Sequence, residues 1–498
     1  MKELRGLLLL QTGVSWASVI IELGAGFLIA PFLLKYLGAE KYGVWVVCNS
    51  TTALFALLDL GLRGTLVRSI TMAARPADVL GVVTLITRYL LLAAAMAAVG
   101  HFVIGLVFPT LFPKAPAMDP AEITGCLAIL GLSLVPIFLN SVLTAYLTAD
   151  SRVHEANLVA TIATLVRIPL SIAAVAWTGS LLALAAVVTG TTALQSVALR
   201  WRGRHLYSLR EILLSPASMA ALRGVRGHAA YSFTVRSCSI VYTELSTYLA
   251  MLLLGPLSVA ALSFCMLLVG FSRRLIESFG VNIFPHVLRA CAKGDLGQLR
   301  HFFEDYLVHA SVVAGLFYFG IAVYGADFLG IWLAPQRFEV AGALVVLALG
   351  SLLGGLGSFA PGVFEGMGKF RRSAAVYGCE IAGFLLLGLV LVSGLGLGLT
   401  GIALAYVLPR IISSMVFLHW LAVETRLGHA ALLRFLARQL PWWGFAAATT
   451  LTAHWLVPPV SWPTLSVSVL LAGAAYLAVV LWRHHGVLLP RAAAPTSS

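Results

Sequence analysis

Charge is scarce in this chain: only 11% of its 498 residues are Asp, Glu, Lys or Arg, against roughly a quarter in a soluble domain. With 60% hydrophobic residues, the surface of a soluble globule is excluded and a polytopic membrane protein remains. Cysteine is equally sparse. Cys48, Cys126, Cys238, Cys265, Cys291 and Cys379 show no C-x-x-C spacing, which argues against zinc and disulfides and leaves structural thiols. His301, Asp305 and His309 share a helix face at i, i+4, i+8, a spacing able to ligate a metal, yet a solvated face is the preferred reading and no metal is expected. A phosphate loop is missing too. The nearest string, Gly366-Met367-Gly368-Lys369-Phe370, lacks both the spacing and the hydroxyl, so the chain carries no ATP engine of its own. H-E-x-x-H and G-x-S-x-G are absent, and no outer loop is longer than the one between Pro109 and Glu122. These absences exclude an external catalytic domain, and no enzyme is expected. A cleavage site is also lacking, since the first apolar run is followed by Lys35-Tyr36-Leu37-Gly38-Ala39-Glu40 rather than small residues.

What the chain does have is apolar runs near the length that spans about 30 Å of hydrocarbon. They fall at 13–34, 43–61, 82–108, 123–147, 157–178, 181–200, 230–254, 257–282, 307–331, 341–364, 374–393, 397–420, 440–457 and 464–482. The fold class expected is therefore an all-α integral membrane protein of about 14 transmembrane helices. Excess Lys and Arg mark cytoplasmic loops. With both termini cytoplasmic, outer loops hold only Lys35, Lys41, Lys114 and Arg337. The net charge of +13 then lies on inner loops facing an anionic leaflet, so a lipid bilayer is the expected partner and nucleic acid is not.

The chain is doubled. Leu37-Gly38-Ala39 after the first run finds a counterpart in Leu254-Gly255-Pro256 after the seventh, at an offset of 217, and Asp78 maps to Asp295 at the same offset. Trp201 and Trp420 pair at 219. An even number of spans per repeat makes it parallel, with a pseudo-twofold axis along the membrane normal. The organisation expected is an N-terminal six-helix lobe over 1–200, a basic cytoplasmic linker over 201–228, a C-terminal six-helix lobe over 229–420, and two extra helices with a tail over 421–498. Within the linker, Leu206, Leu209, Ile212 and Leu213 have the spacing of an interfacial amphipathic helix.

Six arginines interrupt the apolar runs: Arg88, Arg167, Arg236, Arg273, Arg274 and Arg410. A guanidinium in hydrocarbon costs several kcal/mol unless it faces a partner or a polar cavity, so each is a candidate site. By helix rise they lie between the inner leaflet and the midplane, where an anionic group entering from the cytoplasm would meet them, and a guanidinium fork suits phosphate oxygens. Arg236, Arg410, Arg273, Arg274 and Arg167 are the candidate substrate-binding residues. Adjacent helical residues diverge by about 100°, so one of Arg273 and Arg274 snorkels, as Arg88 can. Among the acids Glu22, Glu244, Asp59 and Glu380, some must neutralise arginines. A buried carboxylate can also carry a proton or bind Na⁺, so these four are the ion-coupling candidates, and no other cofactor is expected. Pro409-Arg410 is the proline site at which a mobile kink is expected.

The run from Pro31 to Leu62, with Leu37-Gly38-Ala39-Glu40-Lys41-Tyr42-Gly43-Val44-Trp45 and Leu57-Leu58-Asp59-Leu60-Gly61-Leu62, resembles the opening of Wzx-type polysaccharide flippases. These belong to the multidrug/oligosaccharidyl-lipid/polysaccharide exporter superfamily. The resemblance implies two lobes and alternating access. It also implies movement of an undecaprenyl-diphosphate-linked oligosaccharide to the outer leaflet of a bacterial cytoplasmic (inner) membrane, with polysaccharide-assembly proteins as neighbours and a monomeric state. Cationic cavity residues of that family would correspond by type and depth to Arg236, Arg273 or Arg274, and Arg410. The count of fourteen resembles the lipid II flippases of the superfamily, whose extra helix pair contributes to a groove for the lipid tail; plain peripheral packing is the other reading. Trp442, Trp443, Trp455 and Trp462 suit interfacial anchoring. Two rival functions stay open: a drug or small-cation exporter of the same superfamily, and a membrane polymerase or ligase.

Overall fold

A computed structural model describes residues 2–72, 76–115, 118–203, 209–216, 226–281, 289–290, 293, 296–336, 338–366, 370–424 and 428–483. Among the described residues all regular structure is helical. In chain order the helices are α1 (Lys2–Leu37), α2 (Ala39–Ala56), α3 (Leu62–Met72), α4 (Pro76–Leu111), α5 (Pro120–Ala149), α6 (Val153–Thr178), α7 (Leu181–Arg202), α8 (Leu209–Leu214), α9 (Arg226–Leu253), α10 (Pro256–Val281), α11 (Leu296–Trp332), α12 (Ala341–Gly355), α13 (Ala360–Gly366), α14 (Phe370–Gly388), α15 (Gly398–Glu424), α16 (His429–Leu456) and α17 (Trp462–Arg483). The apolar runs named above lie mainly on these helices; 43–61 runs past the end of α2, and 341–364 is divided between α12 and α13. Among the described residues, eleven helical stretches are long and apolar enough to cross a membrane, one of them, Ala39–Thr71, running from α2 into α3, and α12 is a shorter apolar helix of 15 residues.

Helix boundaries follow local chemistry. Asp119 caps α5, its Oδ1 accepting from the Ala121 amide at 2.9 Å, with Pro120 in the first turn where its missing N–H is no loss. Ser180 caps α7 through the Leu182 amide at 3.2 Å. Gly38 and Gly255, the pair at offset 217, both adopt left-handed backbone, with φ of +81° and +93°, at the breaks before α2 and α10, a conformation open to glycine at little cost.

The chain divides into two compact units, Met1–Ser263 and Phe264–Ser498, with the boundary inside α10. In unit 1, α5 packs on both α4 and α7, and α6 joins α1 to α7. The α4–α5 seam is built from small residues: Ala93, Ala94 and Ala97 are wholly buried against Leu134 and Phe138. Small side chains let membrane helices approach closely where the hydrophobic effect gives no drive. In unit 2, α12 packs on α11 and α15, α14 packs on α15, and α16 and α17 both lie on α11. A Cβ at Gly350 of α12 would fall 2.3 Å from Val407 Cβ of α15, so only glycine permits that crossing.

The segment expected as a basic inter-lobe linker, 201–228, lies within unit 1 and contains α8, whose Ile212 is buried with Leu66, Val82 and Tyr146 in the unit 1 core. The rest of the linker between Gly203 and Arg226, apart from Ser215 and Pro216, lies outside the described residues, as do the side chains of His301, Asp305 and His309.

Candidate functional site

Arg410 sits in α15 directly after Pro409, which lacks the amide that would bond back along the helix. Its aliphatic stem runs past Gly354 of α12, where a Cβ would stand 3.0 Å from Arg410 Cγ. The guanidinium then meets Tyr406 and Glu380. Its NH1 donates to the Tyr406 hydroxyl at 3.1 Å, and the cation lies 5.4 Å from the centre of that ring. Its Nε stands 3.4 Å from Oε1 of Glu380 on α14. Ser413 also hydrogen-bonds the Glu380 carboxylate. Tyr406, Arg410 and Ser413, at i, i+4 and i+7, therefore form one polar stripe of α15 turned toward α14. The Glu380 side chain is 4% exposed and that of Arg410 22%. Glu380 Oε1 has no hydrogen bond of good geometry, so charge more than alignment holds the pair.

The other candidates are spread over the two units. In unit 1, Arg167 on α6 is half-buried and feels the charge of Glu22 on the neighbouring α1, whose carboxylate is exposed. Thr161 and Ser18 tie the same two helices by a 2.7 Å hydrogen bond. Glu244 on α9 bonds with Ser50 of α2, and one turn on, the Tyr248 and Thr51 hydroxyls share a 2.6 Å bond. Asp59 ends a 3₁₀ turn, Leu57–Asp59, closed by left-handed Leu60 and Gly61, and Ser141 of α5 reaches it at 3.5 Å. In unit 2, Arg273 is half-buried and its neighbour Arg274 exposed. Arg236 lies in α9, and its side chain is outside the described residues.

Arg88 has a different role. It is exposed, and its guanidinium donates to the Ser215 carbonyl at 3.0 Å, fastening the end of α8 to α4. Among the described side chains, Arg410 and Glu380 form an ion pair, and Arg167 lies within the electrostatic reach of Glu22. The other clusters escaped the sequence. Glu122 accepts from Lys41 at 3.1 Å, from the Ser180 hydroxyl at 2.9 Å and from the Leu181 amide at 2.8 Å, binding α2, α5 and the start of α7. Thr52 of α2 stands 3.3 Å from His101 Nε2, a wholly buried ring. The signal for the second cluster was the polar run Cys48-Asn49-Ser50-Thr51-Thr52 inside an apolar helix. Among the described residues, no three His, Cys, Asp or Glu side chains are grouped to hold a metal.

No protein-family model matches the chain, and no curated protein does. Solved structures do. An inward-facing multidrug resistance MATE family transporter of the MOP superfamily is 15% identical over 82% of this chain and 94% of its own, with a TM-score of 0.65. The lipid II flippase MurJ in an inward closed conformation is 13% identical over 96% of this chain and 100% of its own, with a TM-score of 0.70. The MATE transporter DinF-BH in complex with R6G is 15% identical over 83% and 95%, with a TM-score of 0.62. The fold resembles that of these solved structures. The likeness in fold extends across nearly the whole chain in the MurJ comparison.

Proposed function

We propose that the chain is a flippase that moves an undecaprenyl-diphosphate-linked oligosaccharide from the inner to the outer leaflet of a bacterial cytoplasmic membrane by alternating access. The observation that carries this reading is Arg410, a guanidinium inside the apolar helix α15, part-open, with a hydroxyl at 3.1 Å and a carboxylate at 3.4 Å. A fixed cation at that depth suits a diphosphate. Arg167 and Arg236 of unit 1 and Arg273 and Arg274 of unit 2 are the further candidate substrate-binding cations, and Glu22, Glu244, Asp59 and Glu380 are the acids through which H⁺ or Na⁺ would be linked to the cycle. The basic loops are placed in the cytoplasm with both termini, and the chain performs no bond-making step. The similarity in fold to MurJ supports a lipid-linked substrate.

The test is translocation of a fluorescent undecaprenyl-diphosphate oligosaccharide in proteoliposomes, wild type beside Arg410→Ala and Arg236→Ala. Expected is movement by the wild type and its loss in both folded variants. A wild type that moves no lipid but expels small organic cations would favour a second reading, export of such compounds, supported by the fold likeness to MATE transporters. Such a substrate would be indifferent to the loss of Arg410.

A further inference from the structure

Arg410 cannot serve two anions equally. Its guanidinium holds Glu380 at 3.4 Å, and a diphosphate oxygen arriving at the same fork competes with that carboxylate for the same charge. Glu380 is the more deeply enclosed partner, 4% exposed against 22% for Arg410, so it cannot follow the arginine outward or turn to water. A carboxylate left in such a place without its counter-charge must be neutralised. Among the described side chains, no other cation is paired with it. The groups facing Glu380 from α15 are Arg410, Ser413 and, through Arg410, Tyr406. From α13, which also packs on α14, the one titratable residue is Glu365, whose side chain lies outside the described residues.

The geometry points to a partner exchange at Arg410, in which an anionic substrate takes the guanidinium from Glu380 and the released carboxylate takes up one proton. This rests on the diphosphate reading above and extends it, because it makes Glu380 the acid that links binding to protons. Nothing is oxidised or reduced: one ion pair opens, another forms, and a proton passes from the aqueous phase to the Glu380 carboxylate. The site is built for the exchange. The pair lacks a well-aligned hydrogen bond at Oε1, while Ser413 and Tyr406 remain to bond each partner after they separate. Gly354 lets the arginine stem lie close against α12. When the substrate departs, Arg410 returns and expels the proton.

A disubstituted diphosphate suits the test, because its own acidic protons are already gone near neutral pH. A short-chain polyprenyl-diphosphate sugar is titrated into the full-length protein in detergent, with binding followed calorimetrically in buffers of different ionisation enthalpy. Expected is uptake of about one proton per molecule bound, and an affinity that weakens about tenfold for each unit rise in pH, as linkage to one proton requires. In Glu380→Gln, binding persists, the uptake disappears and the pH dependence flattens. Binding by the wild type without uptake overturns the exchange and leaves the flippase reading standing. Absence of binding by the wild type overturns both. Affinity that depends on Na⁺ instead of pH overturns the proton form, as does an unchanged pH slope in Glu380→Gln. The wild-type measurement needs no variant to fold, and Ser413→Ala, which keeps both charges, checks that the uptake belongs to this carboxylate by shifting the pH at which it occurs.

Discussion

Removing Arg410 alone should expose the cost of a stranded carboxylate, and the size of that cost is set by pH. At 3.4 Å and an effective dielectric of about 20, the attraction lost is on the order of 5 kcal/mol. The variant Arg410→Ala need not bear all of it, because Glu380 can be protonated instead. From an ordinary carboxylate value of about 4.3, protonation costs about 1.4 kcal/mol per pH unit, or about 4 kcal/mol at pH 7. The neutral acid is therefore the cheaper state and caps the electrostatic loss. The sign follows directly. In the variant the folded state holds a proton that the unfolded state releases, so stability lost at neutral pH is regained as pH falls toward that of the free carboxylate. Between about pH 7.5 and about pH 5.5 the variant should recover roughly 3 kcal/mol relative to wild type. The assay is guanidinium unfolding in mild-detergent micelles followed by tryptophan fluorescence, across that pH range. Replacing both residues, Arg410→Met with Glu380→Leu, should be far milder than Arg410→Ala at neutral pH, since a buried pair exchanged for apolar side chains is often neutral. A deficit in Arg410→Ala that is the same at both pH values would refute the reasoning, because it would locate the loss in packing against Gly354 and Tyr406.

Other perturbations have sharper local outcomes. Gly350→Leu places side chain where Val407 already sits, with the first added atom 2.3 Å from Val407 Cβ, and should cost at least about 1–3 kcal/mol, read as a lowered unfolding midpoint. Tyr248→Phe removes the 2.6 Å bond to Thr51, but Thr51 keeps its 2.9 Å bond to the Val47 carbonyl. The loss should stay near about 1 kcal/mol, and a far larger fall in the same measurement would mean that the hydroxyl holds more than this contact. Glu122→Ala deprives Lys41, Ser180 and the Leu181 amide of one acceptor, and should cost about 1.5–3 kcal/mol. Faster amide hydrogen exchange at the first turn of α7 would report it.

The helices were legible because crossing a membrane is a matter of length and hydropathy, quantities a sequence displays directly. Their ends were less so. The apolar run expected over 43–61 is interrupted: α2 stops at Ala56, a 3₁₀ turn follows, and Leu60 and Gly61 turn left-handed before α3. Leu57, Leu58 and Leu60 are as apolar as the helix they leave, so hydropathy ran through the break, and Gly61 was the only local sign. The depth of the arginines could be counted, whereas their partners could not. Tyr406 lies at i−4 from Arg410 on the same helix and was readable, but Glu380 stands on another helix, and only the packing of α14 on α15 brings it to 3.4 Å. The polar run of α2 was hidden for a different reason. Thr51 and Thr52 each bond back to a carbonyl four residues earlier, which hydroxyls in membrane helices do whatever their surroundings. Nothing in their spacing announces Tyr248 or His101.

A buried ion pair is weak support for stability, since apolar residues of similar volume would often hold two helices as well. The α14–α15 contact already has such material: Phe384 meets Tyr406 edge-on and Tyr377 meets Phe417, with ring centres 6.4 and 5.6 Å apart. Two charges placed between those rings add desolvation cost for a modest gain in packing, so their use must lie in what an apolar pair cannot do. Opposite charges can part company only when something replaces one of them. An anion supplies that replacement for Glu380 at Arg410, and a proton supplies it for Arg410 at Glu380. The pair is thus a point where binding and protonation exclude the same contact, and each event favours the other through that exclusion. An apolar substitute would hold the helices and lose the linkage, which is why stability and transport should separate cleanly in the Arg410→Met, Glu380→Leu double variant: folded, and inert toward a diphosphate.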